Sequence, residues 1–156
     1  MIWDADALNL LQPNWLPLPA SHILTPHPGE AGRLLKRSAA AICAEPLAAL
    51  ELLQQKSGCH VVLKGAYTLI SNGVSRAVNP CTAPALARGG SGDILTGVIL
   101  ALLGRSSAAA EEQTLTELQL AVLLHSQAGR CAAARVGEDY ATPDEVIASL
   151  GQRSDF

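Results

Sequence analysis

Three glycines fall within four residues at Gly89-Gly90-Ser91-Gly92, and Asp93 then leads straight into the mostly apolar segment Ile94 to Leu103. So few side chains cannot build a strand or helix interior, so the run reads as a loop, and the apolar segment reads as the helix it opens into. Backbone N–H groups converge there without obstruction, and the first helical turn adds unpaired donors and the positive end of its dipole. The arrangement suits an anion such as phosphate. Asp93, a carboxylate at the mouth of an anion site, has two readings: a base that takes a proton from a hydroxyl, or a helix N-cap. The run is not a Walker loop, because no Lys-Ser or Lys-Thr follows, and it lacks the third glycine of a dinucleotide fingerprint.

The surrounding chain alternates short β-type runs with helical segments. Met1 to Asp4 reads as the last residues of a strand, Ser21 to Thr25 as a short buried strand and His60 to Leu63 as another. Helical composition covers Ala5 to Leu11 and Gly29 to Lys36, with the proline-rich connector Pro13 to Pro19 between them. Glu45-Pro46 opens a further helix, striped by Leu47, Leu50 and Leu53 and closed by Gly58. Tyr67 to Ile70 and Val74 to Val78 flank Asn72-Gly73, a hairpin signal. After the loop helix comes a polar Ser/Ala/Glu stretch. A long helix follows from about Leu115 to Val136, with Leu118, Val122, His125, Gly129 and Ala132 or Ala133 on one face. Thr142-Pro143-Asp144-Glu145 predicts a last helix with a capping box. This order implies an α/β layered fold with a parallel core sheet and a hairpin, in one domain.

At 156 residues, 49% hydrophobic and 16% charged, the chain has the makings of a buried core. A formal net charge of -3 without a Lys/Arg cluster argues against nucleic acid or an anionic membrane surface as partner. Cys43, Cys59, Cys81 and Cys131 show no C-x-x-C spacing and read as reduced structural thiols, in keeping with the cytoplasm. No apolar run is long enough to span a bilayer.

In open α/β sheets ligands lie beyond the carboxyl ends of the strands, and four such ends carry polar residues here. Asp4 ends a strand, and Asp6 reads chiefly as the cap of the next helix. In Thr25-Pro26-His27-Pro28-Gly29-Glu30 two prolines stiffen the backbone on either side of His27, and Glu30 has a capping role open to it. Lys64, after Val61-Val62-Leu63 and before Gly65, is either a phosphate or adenine contact or a solvated strand end. Asn79-Pro80-Cys81-Thr82-Ala83-Pro84 is a rigid approach to the glycine loop.

Asp4-Ala5-Asp6-Ala7-Leu8, Thr25 to Glu30, Leu63-Lys64-Gly65 and Gly89 to Gly97, in this order, resemble the nucleotide-dependent NAD(P)H-hydrate dehydratase family from Asp4 to the Thr142-Pro143-Asp144 region. The resemblance implies a ribokinase-like three-layer fold with a mostly parallel sheet, and repair of hydrated NADH or NADPH at the expense of ADP or ATP with Mg²⁺. It implies Asp93 as the base for the hydrate's hydroxyl, and Gly90, Ser91 and Gly92 as donors to the transferring phosphate. It further implies His27 as a contact to the hydrated dinucleotide and Lys64, Gly65, Ala66, Tyr67 and Thr68 as the nucleotide-binding strand end. The Mg²⁺ ligands stay unnamed. His125 is read as packing against the loop helix.

Full family domains are longer before Asp4, so the chain is expected to be a C-terminal portion of the domain, residues 1–156, with catalysis by it alone in question. An edge left uncovered there predicts a homo-oligomer. An NAD(P)H-hydrate epimerase domain or protein is a further expected partner. Two other functions stay open: a sugar or vitamin kinase of the ribokinase superfamily, and a non-catalytic nucleotide-binding remnant.

Overall fold

The computed structural model describes residues 1–12, 14, 16–105 and 111–152, and the chain divides into two compact units, Met1–Val78 and Asn79–Phe156. Residues 106–110, most of the expected polar stretch, lie outside the described residues, as do Pro13 and Trp15 of the connector.

The first unit holds the five-stranded sheet, in the order β1-β2-β3-β4-β5. Strands β1 (Ile2–Trp3), β2 (Ile23–Leu24) and β3 (His60–Leu63) run parallel, with Trp3 level with Leu24 and Leu24 level with Val61. Helix α1 (Ala5–Leu10) lies between β1 and β2 in sequence, and α2 (Pro28–Leu35), α3 (Ala39–Ala44) and α4 (Pro46–Ser57) lie between β2 and β3. Strands β4 (Leu69–Ser71) and β5 (Arg76–Val78) join antiparallel through short loops, which cannot make the crossover that a parallel pair needs. The expected parallel core with an appended hairpin is present, and the sheet as a whole is mixed.

The hairpin turn sits one residue later than Asn72-Gly73 suggests. Asn72 N–H donates to the Ser75 carbonyl at 3.2 Å, so Gly73 and Val74 are the central pair, with φ +89° at Gly73 alone. That is the type II′ pattern, whose first central residue is glycine. The core of this unit packs Leu8, Leu24, Leu34, Leu50, Leu53 and Val61 together. On α4 the inward face is Ala49, Leu50, Leu53 and Ser57, while Leu47 is 50% exposed, so one member of the expected stripe faces outward. Helix α3 has no counterpart in the sequence reading. It is six residues long with only Ile42 buried, too short for a period to show.

The second unit is helical. A 3-10 turn (Pro84–Leu86) precedes α5 (Ser91–Arg105), and α6 (Glu111–Val136) follows; a second 3-10 turn (Glu138–Tyr140) leads to α7 (Pro143–Ala148). The expected inward face of α6 holds: Leu118, Val122, His125, Gly129 and Ala132 are all buried. Helix α5 begins at Ser91, three residues before the apolar segment, because the Gly90 carbonyl already accepts from Ile94 N–H at 3.3 Å. The Thr142 capping box is half made. Thr142 Oγ1 accepts from Glu145 N–H at 3.4 Å, but the Glu145 carboxylate pairs with Arg135 on α6 instead of returning to the cap.

Candidate functional site

The glycine loop of the second unit ends at the N-terminus of a 15-residue helix. Gly90 has φ +86°, a conformation that disfavours any side chain, and a Cβ there would also come within 3.2 Å of Pro143 Cγ at the start of α7. At Gly89 a Cβ would meet nothing within 4 Å, so the backbone faces open space. Ser91 N–H donates to the Arg88 carbonyl at 3.4 Å. Among the described residues no acceptor stands against the N–H groups of Gly92 and Asp93. Two unpaired first-turn donors thus stand at the positive end of the helix dipole, the physical makings of an anion site.

Asp93 is exposed in the first turn of α5 and makes no side-chain hydrogen bond among the described residues. It is not the N-cap, because that place belongs to Gly90. Behind the loop, Ser91 Oγ lies 3.2 Å from His125 Nε2, both residues buried. Asn79 Nδ2 donates to Ser126 Oγ at 2.7 Å and to the Cys81 carbonyl at 3.1 Å. The sequence places His125 against the loop helix, and the structure agrees. It gives no warning of the Asn79 to Ser126 contact, which joins residues 47 positions apart.

In the first unit, the carboxyl ends of the parallel strands bring Asp4, Thr25-Pro26-His27 and Lys64 side by side. Lys64 Nζ lies 2.7 Å from Asp4 Oδ1, with the two side chains 19% and 11% exposed. The pair spans from the end of β1 to the end of β3, over β2 between them. Asp4, and not Asp6 as expected, stands at the N-cap position of α1, and its side chain makes no capping bond but the ion pair with Lys64. Asp6 is exposed in the first turn of α1. Lys64 is correspondingly neither a solvated strand end nor an uncompensated cation. Its N–H extends the ladder to the Pro26 carbonyl at 2.8 Å.

Gly65, Ala66 and Tyr67 form the exposed part of the β3–β4 loop, and a Cβ at Gly65 would meet nothing within 4 Å. Thr68 is buried and its hydroxyl donates to the Gly65 carbonyl at 3.3 Å, which shapes that loop.

His27 is itself the N-cap of α2. Its Nδ1 accepts from Gly29 N–H at 3.0 Å and Glu30 N–H at 3.3 Å, while Glu30 Oε2 accepts from His27 N–H at 2.8 Å. An imidazole thus takes the part usually played by serine or threonine in a capping box. With Nδ1 accepting, the ring proton sits on Nε2, 3.4 Å from Glu30 Oε1, on a side chain 55% exposed. Pro28 at the first helical position completes the start.

Among the described residues, no group of three or more His, Cys, Asp or Glu side chains could hold a metal ion, and no helix is long and apolar enough to cross a membrane.

Parallel strand ends bearing polar residues, with a separate glycine loop opening a helix, belong to the ribokinase-like class of α/β folds. A ribokinase-like superfamily protein from Enterococcus faecalis superposes with a TM-score of 0.71 at 27% identity, over 96% of this chain and 52% of that one. The family model described as NAD(P)H-hydrate dehydratase matches residues 1–151, and the chain belongs to that family. The bifunctional NAD(P)H-hydrate repair enzyme of Vibrio cholerae is 44% identical over 127 residues, 81% of this chain and 24% of its own length. The ADP/ATP-dependent NAD(P)H-hydrate dehydratase of Bacillus subtilis, crystallised with ATP and Mg²⁺, gives a TM-score of 0.63 at 27% identity, over 83% of this chain and 47% of that one. The chain thus spans about a quarter of the first of these enzymes and about half of the second.

Proposed function

We propose that this chain carries the phosphate-anchoring and base-bearing part of an ADP- or ATP-dependent NAD(P)H-hydrate dehydratase. The observation that carries the reading is Asp93: an exposed carboxylate in the first turn of α5, beside unpaired first-turn N–H donors that would otherwise favour an anion alone. A carboxylate is unfavourable next to phosphate unless it removes a proton there. In the proposed reaction Asp93 takes the proton of the hydrate's C6 hydroxyl as that oxygen bonds to the terminal phosphorus. The bond from phosphorus to the bridging oxygen breaks toward the nucleotide. The C6–O bond then breaks with its electron pair, inorganic phosphate leaves carrying the former hydroxyl oxygen, and loss of a C5 proton restores the reduced nicotinamide.

The N–H groups of Gly92 and Asp93, in the turn that Gly90 and Ser91 open, would face the charge that builds on the transferring group, which is the main protein contribution to phosphoryl transfer. The open backbone at Gly65 and the exposed loop through Ala66 and Tyr67, shaped by Thr68 and anchored at Lys64, support a nucleotide-binding role for that strand end. His27 Nε2–H would donate to the hydrated dinucleotide, exchanging its contact with Glu30 for one with the ligand. Mg²⁺ would be held largely by the nucleotide's own phosphate oxygens and water, where it offsets their charge. Four free cysteines suit a cytoplasmic setting. An epimerase acting on the same hydrates would be the partner, in keeping with a relative that is a bifunctional NAD(P)H-hydrate repair enzyme. Assembly as a homo-oligomer belongs to the same reading.

The test supplies NADH hydrate, Mg²⁺ and ADP or ATP, and follows inorganic phosphate together with recovery of the near-ultraviolet absorbance of NADH. Hydrate-dependent phosphate release is expected from the parent chain. Asp93→Asn should abolish it while nucleotide binding is kept or tightened, since a charge near phosphate has gone. Equal turnover in the variant would remove Asp93 as the base. A stable phosphorylated product would identify a kinase, and binding without turnover by the parent would identify a non-catalytic nucleotide-binding chain.

A further inference from the structure

One face of α6 touches the whole segment that leads into the anion site. His125 meets Ser91 at its end (3.2 Å), Ser126 meets Asn79 at its beginning (2.7 Å), Gly129 receives Leu86 in its middle, and the Arg130 guanidinium donates to Cys81 Sγ at 3.5 Å. These four positions on α6 lie at i, i+1, i+4 and i+5, neighbours on a helix surface. The contact at Gly129 is close: a Cβ there would stand 2.6 Å from Leu86 Cγ, so the Leu86 side chain would have to shift. Residues 79–91 are therefore held along α6 at their two ends by buried side-chain hydrogen bonds and in the middle by close packing.

We propose that His125 is a positioning residue for the phosphate site, acting through the Ser91 hydroxyl to fix the first turn of α5. This rests on the reading that phosphate binds at that turn. Ser91 turns its hydroxyl inward to His125 and is 7% exposed, so its contribution to an anion is backbone geometry and not an O–H donor. Whichever tautomer His125 adopts, the pair keeps one hydrogen bond, because a hydroxyl both donates and accepts. Losing either partner leaves the other buried with that bond unmade, and lets the turn carrying the Gly92 and Asp93 N–H groups drift from the spacing an anion needs.

The experiment measures Mg²⁺–ADP affinity by calorimetry, and amide hydrogen exchange over residues 91–94 without ligand. The chains compared are the parent, Ser91→Ala, Ser91→Thr, His125→Leu, His125→Gln and the Ser91→Ala/His125→Leu double variant. Ser91→Ala and His125→Leu should each weaken ADP by about tenfold, with the double variant no weaker than the poorer single. Ser91→Thr, which keeps the hydroxyl, should recover most of the affinity lost in Ser91→Ala, and His125→Gln should recover part of the loss seen in His125→Leu. Exchange over residues 91–94 should quicken in both single variants. Additive losses, or parent-like affinity and exchange in a folded His125→Leu chain, would overturn the proposal. A parent that binds no ADP, with exchange still coupled through the pair, would sink the nucleotide reading and leave the positioning contact standing.

Discussion

His22 accepts the Trp3 indole N–H at Nδ1, 3.1 Å away, with the two rings tilted at 45°. Burial first, and then the positive N-terminal ammonium, hold its pKa below the ordinary value of 6.5. A histidine whose pKa is lower folded than unfolded binds fewer protons in the fold. The stability it lends is complete above pH 6.5 and is lost as pH falls through the lower, folded value. Protonation also removes the lone pair that receives the indole proton. The urea midpoint of the parent should therefore fall below pH 6.5 before the carboxylates titrate, together with a change in tryptophan emission. His22→Gln should lose that part of the pH dependence; an unchanged profile in the variant would show that His22 titrates alike in both states. Such pairings join residues far apart in sequence, 19 positions here and 60 for Asp4 with Lys64, so the residue types were legible but their partners were not.

At the scale of elements, α2 shows both what local sequence carries and what it hides. The prolines at 26 and 28 mark a stiff entry, and Glu30 sits where a capping carboxylate belongs, so the helix start could be read directly. That the histidine ring is the cap could not, because histidine is an unusual residue there. Gly29 follows from it: a Cβ at that position would stand 2.8 Å from His27 Cε1 and 3.1 Å from Nδ1. Gly29→Ala removes a helical glycine, a gain of up to about 1 kcal/mol, but pushes the ring off a cap worth about 1 kcal/mol or more. The substitution should be neutral to destabilising in the parent and stabilising in a His27→Ala background, where only the gain remains. Urea unfolding of the four chains gives the sign in each background, and stabilisation in both would show that the ring is not held as the cap. The Thr142 box fails for a comparable reason. Its sequence is complete, but Arg135 on the neighbouring helix competes for the Glu145 carboxylate.

For the molecule as a whole, the proposed function sets a constraint: an anionic nucleotide would have to bind a chain of net charge -3 with no cluster of cations. Lys64 is already compensated by Asp4 at 2.7 Å, and the Arg135 and Arg37 guanidinium groups pair with Glu145 and Glu45. The glycine loop was legible because backbone donors need glycine, a requirement that is written into the sequence itself. The ion pair of Lys64 with Asp4 was not, because it depends on which strands become neighbours. Binding by N–H groups and a helix dipole at short range should be less sensitive to ionic strength than binding by exposed side-chain charges spread beyond a Debye length. Mg²⁺–ADP at about a hundred times its dissociation constant should stabilise the folded chain by about 2.7 kcal/mol, seen as a rise in Tm. When the ADP concentration is scaled to the constant measured at each salt level, that rise is the same by definition, so the constant itself is the informative quantity. It should weaken only modestly as salt is raised. Gly90→Ala, forced into φ +86° and against Pro143, should abolish the rise at ADP concentrations that saturate the parent. A steep salt dependence with binding retained in Gly90→Ala would move the anchor away from the glycine loop and onto side-chain cations.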